Sequence, residues 1–271
     1  MRRLLAILIL LVPAAAAAAP DAELWTRWTG HDPASQATVD HGAWSAFLAR
    51  YRVDGPDGIA RVRYGAVTPA DRAALDAYLD RMAATRVTAL ARAEQRAFWI
   101  NLYNALTVRT VLDHFPVDSI RDIDISPGVF ADGPWGAELV AVEGVPLTLD
   151  DIEHRILRPL WADPRTHYVV NCAALGCPDL PAAALTAATM EAALDAAARA
   201  YVNHPRGAAV TADGELVVSS IFDWYAADFG GSDAAVIAHL ARYAAPALAS
   251  RLAGIDAIAD DAYDWWLNRA E

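Results

Sequence analysis

The chain has 271 residues, 55% of them hydrophobic, with 15 Gly, 15 Pro, 9 Trp and 9 Tyr. That is enough apolar and aromatic material for a buried core, which excludes collagen-like, low-complexity and wholly disordered chains. The formal net charge is -12, lysine is absent, and no basic cluster offsets the acidic groups, so a nucleic-acid partner is excluded.

Arg2 and Arg3 precede an uncharged stretch from Leu4 to Ala19, whose apolar part, Leu4 to Val12, runs into Pro13 and an alanine run. This is the pattern of a secretory signal peptide cleaved near Ala19. A membrane anchor needs about 20 consecutive apolar residues, and here Pro13 interrupts early and Asp21 and Glu23 close the stretch. The expectation is a leader over 1–19, a single domain over 20–271 that is periplasmic or secreted, and no stable membrane anchor. In such a compartment disulfides persist.

The remaining chain predicts a helix over Ala43 to Tyr51, a strand over Arg61 to Val67 and a helix from Thr68. There Thr68-Pro69-Ala70-Asp71 supplies a capping threonine, a proline at the first helical position and an acidic third residue. The longest predicted helix runs from about Ala89 to His114 and is ended by Pro116. Val129 to Val142 is turn-rich and closes in a strand, Glu138 to Val142, followed by the turn Glu143-Gly144. Thr148-Leu149-Asp150-Asp151 then caps a helix carrying Ile152, Ile156 and Leu157. His167 to Cys172 is β-branched and aromatic and reads as a strand. An alanine-rich helix covers Ala187 to Asn203, and Ala208 to Val218 is a hairpin around Asp213-Gly214. Helices at Phe222 to Phe229, Asp233 to Ala244 and Ala247 to Leu252 follow. With no repeat and no long linker, the prediction is one helix-dominated α+β domain with a small sheet.

Three constellations carry candidate chemistry. In Arg96 to Thr107, Asn101 and Asn104 stand three apart on one face of an apolar helix, so their amides either bridge buried backbone or touch a ligand. In Asp151 to Arg158, His154 and Arg158 are i, i+4 neighbours with Glu153 one step around the helix, a solvated charged face or part of a site. Asp163 to Pro178 holds Arg165, His167 and both cysteines, Cys172 and Cys177, and leads into a glycine-containing turn, where reactive groups are commonly displayed.

Together, Trp99-Ile100-Asn101-Leu102-Tyr103-Asn104-Ala105, Ile152-Glu153-His154 with Leu157-Arg158, His167 with Asn171-Cys172 and Cys177-Pro178, and the terminal Tyr263-Asp264-Trp265-Trp266-Leu267-Asn268 resemble domain of unknown function 547, a family of bacterial exported and plant proteins. The resemblance runs from about Ala89 to the C-terminus, its motif-bearing core ending at residue 268. It departs at Trp266, where the family more often has a small residue, and it implies no particular reaction.

On a strand, His167 and Cys172 would lie about 16 Å apart on opposite faces. A base for a Cys172 nucleophile would then be His154, or His167 brought round by a bulge. A Cys172–Cys177 disulfide closing a small loop is the alternative and would contribute about 2 kcal/mol by chain entropy. C-x4-C with scattered histidines lacks the close ligand pairs of structural zinc sites, so no metal is expected, and no cofactor. The order of helix, hairpin and His-bearing strand is similar to that of transglutaminase-like and papain-like thiol enzymes. Here, though, the helix start Ala97-Phe98-Trp99 has no cysteine.

The functional expectation is a thiol-dependent hydrolase, transferase or redox enzyme acting on a small peptide or thiol compound. Cys172, His167, His154 and Glu153 would be catalytic, and Asn101, Asn104, Arg158 and Arg165 would bind. The alternatives are an envelope ligand-binding protein with a structural disulfide and, on its apolar C-terminal helices, an interaction scaffold. His167, Cys172, Glu153, His154, Arg158 and Arg165 are expected to converge on one concave pocket, with Asn101 and Asn104 buried against the segment around His167.

Overall fold

The computed structural model describes residues 20–128 and 132–271; the signal peptide read over 1–19 lies outside them. The fold is α+β and helix-dominated. At its centre is helix α3 (Arg92–His114), in which every residue from Glu94 to Val108 is buried. A helix buried on all sides lies inside a core rather than against one. Around it pack α1 (Gly42–Tyr51) and α2 (Pro69–Ala83). The predicted start of α2 is realised: Thr68 Oγ1 accepts the Asp71 N–H at 3.1 Å, with Pro69 at the first position.

The strands are short and sit in separate small sheets. β1 (Arg52–Asp54) pairs with β2 (Ala60–Val62), and β3 (Val140–Val142) with β4 (Val145–Leu147), both antiparallel. The β3–β4 turn is Glu143-Gly144, with φ of 48° and 75°, the left-handed pair that a two-residue hairpin loop requires. The hairpin β5 (Ala208–Val210) and β6 (Leu216–Ser219) gains β7 (Asp260–Ala262) in parallel. A second, smaller core forms where α5 (Met190–Val202), α7 (Asp233–Tyr243) and α8 (Pro246–Leu252) meet this sheet. Among the described residues no helix is long and apolar enough to cross a membrane.

Two predicted strands are corrected. Arg61 to Val67 is strand only to Val62, because Tyr64–Ala66 forms a 3-10 turn that buries Tyr64 with its hydroxyl on Asn268 Oδ1 at 2.9 Å. His167 to Cys172 is no strand: Pro164–Tyr168 is a 3-10 turn. Asp163 Oδ1 accepts the Arg165 N–H at 3.0 Å and Pro164 holds the first position, a start signal like that of Thr68-Pro69. The β-branched and aromatic residues Tyr168, Val169 and Val170 are there to be buried, not to pair. The predicted helix over Phe222 to Phe229 is two short turns, α6 (Ile221–Trp224) and a 3-10 turn at Ala226–Phe229.

Candidate functional site

The segment Asp151–Leu157 is wound as a π-helix and continues into α4 (Arg158–Trp161). Thr148 and Asp151 cap its start reciprocally, Thr148 Oγ1 accepting the Asp151 N–H at 2.9 Å and Asp151 Oδ2 the Thr148 N–H at 3.1 Å. The wider winding turns the Arg158 N–H to Glu153 O, which frees the His154 carbonyl. Pro159 has no N–H to offer the Arg155 carbonyl. Both freed acceptors are taken by the N-terminal segment: Glu23 N–H bonds His154 O and Trp25 N–H bonds Arg155 O, each at 3.0 Å. The Arg155 guanidinium covers the Trp25 ring at 4.2 Å. π-Helical turns are rare and are commonly found at functional sites.

This turn aims Glu153 and His154 inward. Glu153 Oε1 lies 3.7 Å from His167 Nδ1, while His167 Nε2 is 2.7 Å from Asp228 Oδ2. Arg158 grips Asp228 with two nitrogens, at 2.6 and 3.2 Å, and donates to His154 Nδ1 at 3.1 Å and to Pro20 O at 2.6 Å. The Tyr225 ring stacks on His167 at 4.1 Å. Burial opposes ionisation of Glu153, but His154 and His167 beside it and the Tyr103 phenol hold its carboxyl down at about 2. Asp228 is likewise held well below the usual carboxylate range by His167 and Arg158, against its desolvation. His167 is itself raised above 6.5, because Asp228 and Glu153 outweigh its burial. It therefore sits between two carboxylates, its Nε2 hydrogen-bonded to Asp228 and its Nδ1 turned toward Glu153.

The cysteines are joined as a Cys172–Cys177 disulfide. Cys177 is buried and Cys172 half-buried. Their loop is held by the C-terminal segment: Leu175 N–H bonds Trp266 O at 2.7 Å and Gly176 N–H bonds Asp264 O at 2.8 Å. Only glycine fits at 176, since a Cβ there would sit 2.7 Å from the Asp264 backbone nitrogen. Two donors point at the sulfurs. The Tyr263 hydroxyl lies 3.0 Å from Cys172 Sγ and 3.1 Å from Cys177 Sγ, and the Cys172 N–H reaches Cys177 Sγ at 2.8 Å. Desolvation pushes the Tyr263 phenol well above its ordinary value, so it stays a donor.

Disulfide and ionic network share one cavity of about 500 Å3, a size suited to a small ligand. It is lined by Glu153, His154 and His167, by both cysteines, and by the mutually packed rings of Trp135, Trp224, Tyr263 and Trp265.

Glu153, His154, His167 and Cys172 thus meet at this cavity. The other four candidates do not line it. Arg158 supports it from behind through Asp228. Arg165 is spent on Asp163, Glu191 and Asp195. The amides of Asn101 and Asn104 are consumed by buried backbone: Asn101 bonds Leu185 O and N–H at 2.7 and 3.0 Å, and Asn104 bonds Val169 O at 2.8 Å and Asn171 N–H at 2.9 Å. These residues are corrected from ligand contacts to supports. Asn104→Ala leaves a carbonyl and an N–H unpaired in the core, each worth about 1–3 kcal/mol. Urea unfolding is expected to show a loss of about 2–4 kcal/mol; an unchanged midpoint would refute that role. Among the described residues no three or more His, Cys, Asp or Glu side chains gather as metal ligands do.

Sequence reasoning missed Asp228, Tyr225 and Tyr263. Tyr263 stood in the quoted terminal motif without a role. Asp228 and Tyr225 lay inside an apolar run read as one helix, and nothing local links them to His167, some 60 residues away.

Residues 87–202 match the family model described as "Protein of unknown function, DUF547". This segment is a DUF547 domain. The match spans α3, the π-helical turn, the His167 turn, the disulfide loop and α5. It ends before Tyr225, Asp228 and the Tyr263 to Asn268 motif, so part of the cavity comes from chain beyond the matched segment. No curated protein and no solved structure matches the chain.

Proposed function

We propose that this DUF547 protein is an exported thiol–disulfide exchange enzyme, periplasmic or secreted, whose cavity takes a small thiol compound or short peptide. The observation that carries the reading is the pair of donors, Tyr263 O–H and Cys172 N–H, aimed at the sulfurs of a disulfide that faces a ligand-sized cavity. A substrate thiolate attacks the half-buried Cys172 Sγ. The Cys172–Cys177 bond breaks, and its electron pair leaves on Cys177, where the two donors stabilise the new thiolate. A second substrate thiolate then attacks the substrate sulfur, releasing a small disulfide and the Cys172/Cys177 dithiol. The reverse exchange with a disulfide of the medium restores the enzyme.

Exchange needs no base from the protein, in keeping with His167 being held by Asp228 through Nε2; hydrolase and transferase readings need one. Tyr263→Phe tests the reading directly. Losing one hydrogen bond to a charged group, about 1.5–3 kcal/mol, is expected to slow release of the Cys177 thiolate by 2-mercaptoethanol at least about tenfold, followed by quenched alkylation and mass spectrometry. An unchanged rate would favour the second reading, a non-catalytic ligand-binding protein. The support for that reading is the C-terminal segment's tight hold on the disulfide loop.

A further inference from the structure

Trp28, Trp44 and Trp99 are each 1% exposed and belong to the core. Trp135, Trp224 and Trp265 are only half-buried, and all three line the cavity. Large rings left partly uncovered in a concave site, in a protein that buries others of their kind fully, are surface offered to an apolar ligand. The sulfurs and these rings come from different parts of the chain. Cys172 and Cys177 lie within the DUF547 segment, 87–202, whereas Trp224, Tyr263 and Trp265 follow it.

The ring cluster stands beside the disulfide. The Tyr263 hydroxyl touches both Sγ atoms, and the same ring packs on Trp224 and on Trp265, each at 4.7 Å. Trp224 and Trp265 are stacked on each other at 5.5 Å, and Trp135 meets Trp265 edge-on at 5.8 Å. One phenol ring spans the distance between the sulfurs and two indoles, and a substituent a few bonds from an attacking sulfur covers the same distance. A further ring gains more there than an aliphatic group does, because aromatic pairs attract through their quadrupoles beyond the area they bury. A cavity of about 500 Å3 has room for such a side chain on a short peptide.

We propose that the cavity selects thiols that carry an aromatic ring, namely peptides with an aromatic residue next to the cysteine, and that Trp224 and Trp265 determine this specificity. The ring lies against the two indoles while the sulfur attacks Cys172 Sγ. This inference rests on the exchange reading above and adds to it the side chain that the substrate carries beside its cysteine.

Three uncharged, blocked dipeptides separate the two claims: N-acetylcysteinylphenylalanine amide and its leucine and alanine counterparts, compared as rates per thiolate. Each rate is read as loss of the intact disulfide by quenched alkylation and mass spectrometry. The phenylalanine peptide is expected to react about tenfold faster than the alanine peptide and about threefold faster than the leucine peptide. Trp224→Leu should shrink the advantage of phenylalanine over leucine, and Trp224→Phe should keep most of it. Equal rates for the three peptides, a leucine peptide as fast as the phenylalanine one, or an advantage undiminished in Trp224→Leu would overturn this inference and leave the exchange reading standing. No reaction with any of the three would overturn both.

Discussion

Replacing His167 by alanine is expected to destabilise the protein by about 3–5 kcal/mol, since it leaves the buried Glu153 carboxylate facing no imidazole at that position and strips partly buried Asp228 of one of its two partners, Arg158 remaining. Glu153→Gln should cost less, because the amide keeps its shape and removes a charge instead of stranding one. The network also sets the pH dependence of stability. His167 has a folded value above 6.5, so its contribution is complete below about pH 6.5 and is lost as pH rises through the folded value. Glu153 falls from 4.5 to about 2 on folding; its contribution is complete above about pH 4.5 and is lost as pH falls toward 2. Urea midpoints measured from pH 3 to 9 should peak between those limits. In His167→Ala the alkaline decline should shrink; an undiminished decline would show that another group governs it.

The second large effect is an asymmetry between the two sulfurs. Both line the cavity, but Cys177 is 3% exposed whereas Cys172 is half-buried. Cys177→Ser leaves Cys172 as the single thiol, and incubation with cystamine is expected to give one mixed disulfide per chain. Cys172→Ser leaves only the enclosed Cys177 and should give almost none under the same native conditions, although both variants should react fully in denaturant. Equal labelling of the two folded variants would mean that neither sulfur is the entry point.

Much of the fold was legible because its signals are local. Thr68-Pro69-Ala70-Asp71 starts α2 in the sequence as in the structure, Glu143-Gly144 makes the tight turn, and the apolar run through Phe98 to Val108 becomes the central helix. The His167 segment misled because its β-branched content and its Asp163-Pro164 start signal point to different structures, and the start signal prevailed. That correction removes the strand on which an opposite-face separation of His167 from Cys172 was based, and with it the His-bearing strand of the papain-like analogy.

The site was half legible. Glu153, His154, His167 and Cys172 announce themselves as polar groups on apolar elements. Their partners Asp228 and Tyr263 come from distant segments and can be paired with them only in three dimensions. The winding of Asp151–Leu157 was hidden as well, since Pro159 and the docked Glu23 to Trp25 backbone act together to leave and then satisfy its carbonyls.

The central claim is that the Cys172–Cys177 disulfide is exchangeable in the folded protein from the cavity side. The direct measurement is native-state reduction. The protein is exposed to a limited amount of dithiothreitol without denaturant, quenched with iodoacetamide in acid at successive times, and mapped by mass spectrometry, with tertiary structure followed in parallel by near-UV circular dichroism. Exchange through the cavity predicts rapid reduction while the near-UV signal persists, with the reductant's mixed disulfide trapped on Cys172 and none on Cys177. A disulfide that opens only as the near-UV signal is lost, at the rate of global unfolding, would contradict the claim and identify the bond as a structural staple.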